Sequence, residues 1–291
     1  MGSFRNLNTG DSMTTHTIRA ATVIYYSQTG HTKQYARYIA HILEQSGFEV
    51  DTFDMLTQNP KDVPRSDLVV AGTPVFYYDV PENALDWLHR LPDIRGAFCA
   101  AFATYGGEGG NQHNTACTIL DILRGKGARP VALNTFGNMS TFAPTWSSGN
   151  VKRILAYTHL PDEKTYRRVS DFTGEILDRA GRSKIVEPKK RPSFSNLIRG
   201  RFSMKGTKYL ITRHLIDKDL CIDCGLCERT CPVRAIDLKD HSVDTKRCIA
   251  CFGCVNNCPE GAVHMKFLGR PVSGLTEFRK KHTFTVNAPP M

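Results

Sequence analysis

The chain has 291 residues, 41% of them hydrophobic and 23% charged, a composition that excludes wholesale disorder and supports more than one core. Its formal charge of +10 is unevenly spread: residues 181–213 carry ten Lys or Arg against the single acid Glu187, while residues 214–265 carry six bases against eight acids. No apolar run reaches the roughly 18 residues needed to span a bilayer, and the opening MGSFRNLNTGDSMTTHTIRAA lacks a secretory apolar stretch. The expectation is a cytoplasmic protein without stable membrane insertion.

Residues 1–17 read as a flexible N-terminal extension, with organelle targeting as the competing reading of their Ser, Thr and Arg5. From 18 to 180, apolar β-rich runs alternate with helical patterns: TIRAATVIYYS, THTKQYARYIAHILEQSG, FEVDTFDM, DLVVAGT, GAFCAAFATY and RPVALNTFG. That alternation predicts a doubly wound α/β domain with five parallel strands covered on both faces. Its last helix is predicted over DEKTYRRVSDFTGEILDRAG, where Tyr166, Val169, Phe172, Ile176 and Leu177 recur at helical spacing. Cys99 and Cys117, in a strand run and a helix run, read as small buried hydrophobes.

In such sheets a ligand lies beyond the carboxyl ends of the strands. The first strand is followed by SQTGHT, residues 27–32, where Gly30 permits a tight turn and Ser27, Thr29 and Thr32 set hydroxyls beside the amides of a helix start. Such a loop can cradle a phosphate. It has neither the Lys of a triphosphate loop nor the GxGxxG of a dinucleotide loop. GTPVFYYDVP, residues 72–81, and TYGGEGG, residues 104–110, add aromatic rings and a glycine-rich backbone suited to a flat heteroaromatic ring. Together the three loops resemble those of the flavodoxin-like family, whose phosphate loop reads S/T-x-T-G-x-T and whose ligand is FMN. The resemblance implies that Ser27, Gln28, Thr29, Gly30, His31 and Thr32 hold the phosphate. It places Pro74, Val75, Phe76, Tyr77 and Tyr78 on one side of the ring system, with Thr104, Tyr105, Gly106 and Gly107 on the other. His31, His113 and Glu108 read as solvated loop residues rather than catalytic acids or bases, and no catalytic residue is assigned.

Residues 181–213 form a basic linker. Phe194, Phe202 and Tyr209 interleave with its bases, so nucleic acid or an acidic membrane surface are conceivable ligands. The plainer reading is a basic strap beside formally negative metal clusters or an acidic redox partner. Residues 214–268 then carry C-x2-C-x2-C-x3-C-P twice, as Cys221, Cys224, Cys227, Cys231 and as Cys248, Cys251, Cys254, Cys258. Zinc is the competing ligand for CxxC pairs. Three closely spaced thiolates suit three irons of one cubane, while the fourth cysteine of each run reaches the other cluster. The expected sets are Cys221, Cys224, Cys227 with Cys258, and Cys248, Cys251, Cys254 with Cys231. Ile222, Ile236, Ile249 and Val263 are expected to shield the sulfurs.

This stretch resembles a bacterial-type 2x(4Fe-4S) ferredoxin, a small α+β domain, and residues 269–291 read as a basic C-terminal tail. The whole chain resembles a flavodoxin-ferredoxin fusion, implying FMN, two 4Fe-4S clusters and transfer of low-potential electrons to or from a redox protein with an acidic surface. An anaerobic setting and a homodimer are further expectations. Flavin-dependent reduction of a quinone, nitro compound or metal complex is the enzymatic alternative.

Overall fold

A computed structural model describes residues 19–192 and 204–291. The N-terminal extension and the middle of the basic linker, with Phe194 and Phe202, lie outside the described residues.

Five strands, β1 (Ala20–Tyr25), β2 (Glu49–Asp54), β3 (Leu68–Pro74), β4 (Phe98–Gly106) and β5 (Arg129–Asn138), form a parallel sheet in the order β2-β1-β3-β4-β5. The central strands are apolar because helices cover both faces. Val23, Tyr25, Phe98, Ala100 and Phe102 point to one side, against α1 (His31–Gln45) and α6 (Glu163–Gly181). Ile24, Val69, Ala71, Cys99 and Ala101 point to the other, against α2 (Glu82–His89) and α3 (Gln112–Gly125). The alternation follows from the two-residue period of a strand. Strand β2 departs from the continuous apolar pattern: at the sheet edge only Phe53 is buried. Cys99 and Cys117 are fully buried, and Tyr166, Val169, Phe172 and Ile176 line the buried stripe of α6.

Between β5 and α6 lie two short helices, α4 (Pro144–Ser147) and α5 (Val151–Leu155). Beyond α6 the chain runs back along the sheet: Val186 N–H donates to Pro130 O at 2.8 Å, and the Asn114 side chain brackets Arg191. After α7 (Met204–Lys208), strands β6 (Ile211–Ile216), β9 (Val263–Phe267) and β10 (Arg270–Pro271) make an antiparallel sheet in the order β10-β9-β6. A hairpin of β7 (Ile236–Asp237) and β8 (Ser242–Val243) and the short helices α8 (Leu226–Arg229) and α9 (Gly253–Asn257) complete this small α+β unit.

Residues 269–291 are basic, but they are also packed. Helix α10 (Leu275–His282) buries Leu275 and Phe278, and the Phe278 ring lies 4.8 Å from that of Trp146. This contact belongs to a third core, in which Met139, Ala143, Trp146 and Ile154 from the first half meet Phe252, Val255, Val263 and Met265 from the second. Each large apolar side chain removed from water contributes about 1.5–3 kcal/mol, so the two halves are joined by a core and not only by the linker. Trp146 Nε1–H donates to Ser273 O at 2.9 Å, and Asn287 Nδ2 donates to Pro161 O at 2.8 Å. No helix among the described residues is long and apolar enough to cross a membrane.

Candidate functional site

The loops at the carboxyl ends of β1, β3, β4 and β5 converge on a cavity of about 500 Å³. Its wall includes Ser27, Gln28, Thr29, His31 and Thr32, then Pro74, Val75, Phe76, Tyr77 and Tyr78, then Thr104, Tyr105 and Gly106. Gly30 and Gly107 do not line it. Gly30 turns the chain from β1 into α1 at φ +94°, a conformation that favours glycine.

The phosphate loop has the chemistry of an anion seat. Helix α1 has no acid in its first turn and no side-chain cap, so its first amides await an acceptor. Thr32 Oγ1 pairs with Thr104 Oγ1 at 2.8 Å, and Thr29 Oγ1 donates to Thr141 Oγ1 at 3.3 Å, which tie this loop to the ends of β4 and β5. His31 is not the solvated residue expected from sequence. It is 5% exposed, with neither ring nitrogen hydrogen-bonded among the described residues, and burial, reinforced by the Arg279 charge, holds its pKa down at about 4. A neutral buried imidazole with unused nitrogens beside uncapped amides fits a bound phosphate ester. His113 and Glu108 stay outside the wall; His113 meets Lys189 O at 3.0 Å, and exposed Glu108 pairs with Arg153 at 3.3 Å.

The aromatic wall is set by a tight hairpin. Phe76 and Asp79 exchange two backbone hydrogen bonds of 2.9 Å, and Tyr77 and Tyr78 between them sit at φ +47° and +67°. Such angles suit a two-residue hairpin turn but are costly for aromatic residues. The compensating contacts reach out of the loop: Tyr77 Oη–H donates to Ala250 O at 2.9 Å, and Asn111 Nδ2 donates to Tyr78 O at 2.6 Å.

Sequence reasoning missed the rest of the wall. Asn138, Ser140, Thr141 and Phe142 come from the end of β5, a position the topology itself could have flagged. Thr207, Leu210, Ala250, Cys251, Phe252, Phe267 and Leu268 come from the second half of the chain. The site is therefore shared. Each of three carboxyl-end loops makes one hydrogen bond to the segment 250–257: Gln28 O accepts from Asn257 Nδ2 at 3.0 Å, Tyr77 Oη–H binds Ala250 O, and Thr141 O accepts from Asn256 Nδ2 at 2.9 Å.

The eight clustered cysteines surround two further cavities. An outer one is lined by Cys221, Cys224, Cys227 and Cys258, and an inner one by Cys231, Cys248, Cys251 and Cys254. These are the two crossed sets. Backbone N–H groups already face the crossing sulfurs, Ala262 N to Cys258 Sγ and Ala235 N to Cys231 Sγ, both at 3.2 Å. Burial pushes the Cys227 and Cys251 thiols up to about 11, so metal, rather than solvent, is the agent that would deprotonate them. All-sulfur sets of four, in apolar cavities, fit iron-sulfur clusters. Ile236 and Val263 are buried against these cavities, but Ile222 is 61% exposed because the outer cavity lies near the surface. Cys251 and Phe252 line both the inner cysteine cavity and the large shared cavity.

Comparison with known proteins matches this layout. The flavodoxin family model matches residues 23–141, and the 4Fe-4S dicluster domain model matches residues 213–259. The chain is thus a fusion of an N-terminal flavodoxin domain with a C-terminal 4Fe-4S domain. The first implies FMN, the second an iron-sulfur cluster, and together they make a flavin and iron-sulfur electron-transfer protein. Similar solved structures include a short-chain flavodoxin associated with a non-canonical PDU bacterial microcompartment (18% identity, 56% of this chain and 99% of that one, TM-score 0.43). Others are the Streptococcus pneumonia TIGR4 flavodoxin (16%, 55% and 99%, 0.42) and oxidised flavodoxin 2 from Bacillus cereus (17%, 55% and 99%, 0.43). No curated protein matches the chain.

Proposed function

We propose that this chain is a built-in electron conduit, passing electrons between a redox partner, two 4Fe-4S clusters and FMN. The observation that carries this reading is the double role of Cys251, which lines both the inner cysteine cavity and the cavity that suits the flavin. Bound FMN supplies two-electron capacity filled one electron at a time, whereas each cluster carries one.

The chain's own residues hold these groups in order. The first-turn amides of α1, with Ser27, Thr29 and Thr32, seat the phosphate, and neutral His31 offers a ring N–H to it without adding a charge. Phe76, Tyr77, Tyr78 and Tyr105 flank the ring, while Leu210, Phe267 and Leu268 from the second half limit water on that side. The outer set is the exchange point: Cys224 is exposed, Ile222 and Leu226, which line the same cavity, are 61% and 36% exposed, and Leu220, next to Cys221 in the chain, is 47% exposed. A redox protein docking there meets the outer cluster first. The surplus of bases in the linker and tail favours a partner with an acidic surface.

The test is anaerobic rapid mixing of the reconstituted protein with a one-electron donor, following cluster and flavin absorbance together. Cluster bleaching followed by flavin reduction at a rate independent of protein concentration supports an internal path. Flavin that stays oxidised until another protein or substrate is added refutes it.

A further inference from the structure

The phosphate loop and the inner cysteine loop also meet at the side chain of Gln28. Gln28 is 8% exposed, and its amide Nε2 is fully buried with no hydrogen-bond partner among the described residues. It points at a space that exists because residue 253 is glycine. A Cβ there would stand 3.0 Å from Gln28 Nε2 and 3.7 Å from Cys251 Sγ. The amide and the sulfur thus border the same space, with no bond formed between the amide and the neutral thiol. A buried donor without an acceptor is costly in a native site. A sulfur that turns anionic on binding iron is the acceptor that relieves it.

We propose that Gln28 is a positioning residue shared by the two cofactor sites: its amide donates to Cys251 Sγ when that sulfur ligates iron, so that the potential of the inner cluster depends on the state of the flavin phosphate loop. The inference rests on the conduit reading above. An N–H aimed at a ligating sulfur stabilises the more negative, reduced cluster and raises its potential. His214 Nε2 lies 3.4 Å from Cys254 Sγ and, as the Nε2–H tautomer, is a second donor to the same set. The outer set has the opposite neighbour: Asp223 Oδ1 lies 3.7 Å from Cys221 Sγ and 3.0 Å from His241 Nε2. The two clusters are therefore inequivalent, the inner one easier to reduce. Because Gln28 belongs to the loop that holds the phosphate and its carbonyl is fixed by Asn257, flavin binding fixes the amide. By linkage, reduction of the inner cluster then tightens flavin binding by the same factor.

The experiment is an anaerobic potentiometric titration of the full chain followed by electron paramagnetic resonance, with and without FMN. Asp223→Asn assigns the outer wave, which it moves to higher potential. Gln28→Met, similar in length but without a donor, lowers the reduced-to-oxidised ratio of the inner cluster about tenfold at fixed potential, equal to about 59 mV for one electron. The outer wave stays in place. Removing FMN shifts the inner wave in the native chain and leaves it unmoved in the variant. Should Gln28→Met lose clusters, Gln28→Glu has the shape without the N–H and moves the inner wave the same way. An unchanged inner wave, a parallel shift of both waves, or a flavin-dependent shift that survives in the variants overturns the proposal. Absence of any four-iron signal in the native chain would instead sink the conduit reading itself.

Discussion

Asn256 is the polar pin of the interface, and Asn256→Ala tests whether the two halves form one rigid unit. The side chain is 3% exposed, its Nδ2 donates to Thr141 O at 2.9 Å, and its Oδ1 accepts from Leu275 N at 3.1 Å. One residue thus joins the β5 loop, α9 and α10. Truncation leaves a buried carbonyl and a buried N–H without partners, at about 1–3 kcal/mol each, so the expected loss is about 4 kcal/mol. Asn257→Ala is the internal comparison: it removes one partly exposed bond to Gln28 O and should cost about 1 kcal/mol. Urea unfolding of the reconstituted protein reads both, with the midpoint falling and the slope unchanged. Flavin reduction after rapid mixing should also slow in Asn256→Ala while iron content holds. A loss below about 1 kcal/mol, or one equal to that of Asn257→Ala, would show that the pinning argument is wrong.

His31 gives a pH signature. Its pKa is held down at about 4 from the ordinary 6.5, so between those values the unfolded chain takes up a proton that the folded chain refuses. Flavin-free protein should lose up to about 3 kcal/mol as pH falls through that window, and His31→Gln should lack this component in urea unfolding; identical slopes in both would count against it. Tyr77→Phe removes the bond to Ala250 O and leaves the strained hairpin with one fewer external tie, so it should cost about 1 kcal/mol and weaken FMN binding several-fold, measured by fluorescence titration. Cys231→Ser should destroy the inner cluster, although Cys231 belongs to the first motif. About half the iron should be lost and cluster-to-flavin transfer should stop, as read by iron analysis and rapid mixing.

Local signals were legible in the sequence, and long-range ones were not. SQTGHT declares its own turn, because Gly30 and the flanking hydroxyls act within one helix start, and the crossed cysteine sets follow from spacing alone. Strand positions were readable because helices on both faces demand continuous apolar runs, with the edge strand β2 as the exception that only the sheet order explains. The environment of His31 was hidden because a charge that acts on it, Arg279, lies at the far end of the chain. Trp146 and Phe278 gave no signal for the same reason: each looks like a stray surface aromatic until the other is placed 4.8 Å away. Nor does any short-range rule forecast two consecutive tyrosines at positive φ. That conformation is held by Ala250 and Asn111, which no local window contains.

The permanence of the interface constrains the order of events. Separate electron carriers meet through small, wet contacts that must form and dissolve with each transfer. Here the corresponding contact contains Trp146, Phe252, Val255 and Phe278, all buried, together with the hydrogen bonds of Tyr77, Asn256 and Asn257. It cannot open on each cycle without exposing that core. Exchange with an outside protein must therefore use a different surface. The inner cysteine set faces the shared cavity, whereas the outer set, with exposed Cys224 and the apolar rim of Leu220 and Ile222, faces solvent. On the conduit reading, electrons travel along one line, from the outer cluster to the inner cluster to the flavin, or the reverse. If the proposed donor at Gln28 holds, it and His214 on the inner set and the carboxylate of Asp223 on the outer set would place an electron preferentially on the cluster beside the flavin, an asymmetry that two identical cysteine motifs would lack.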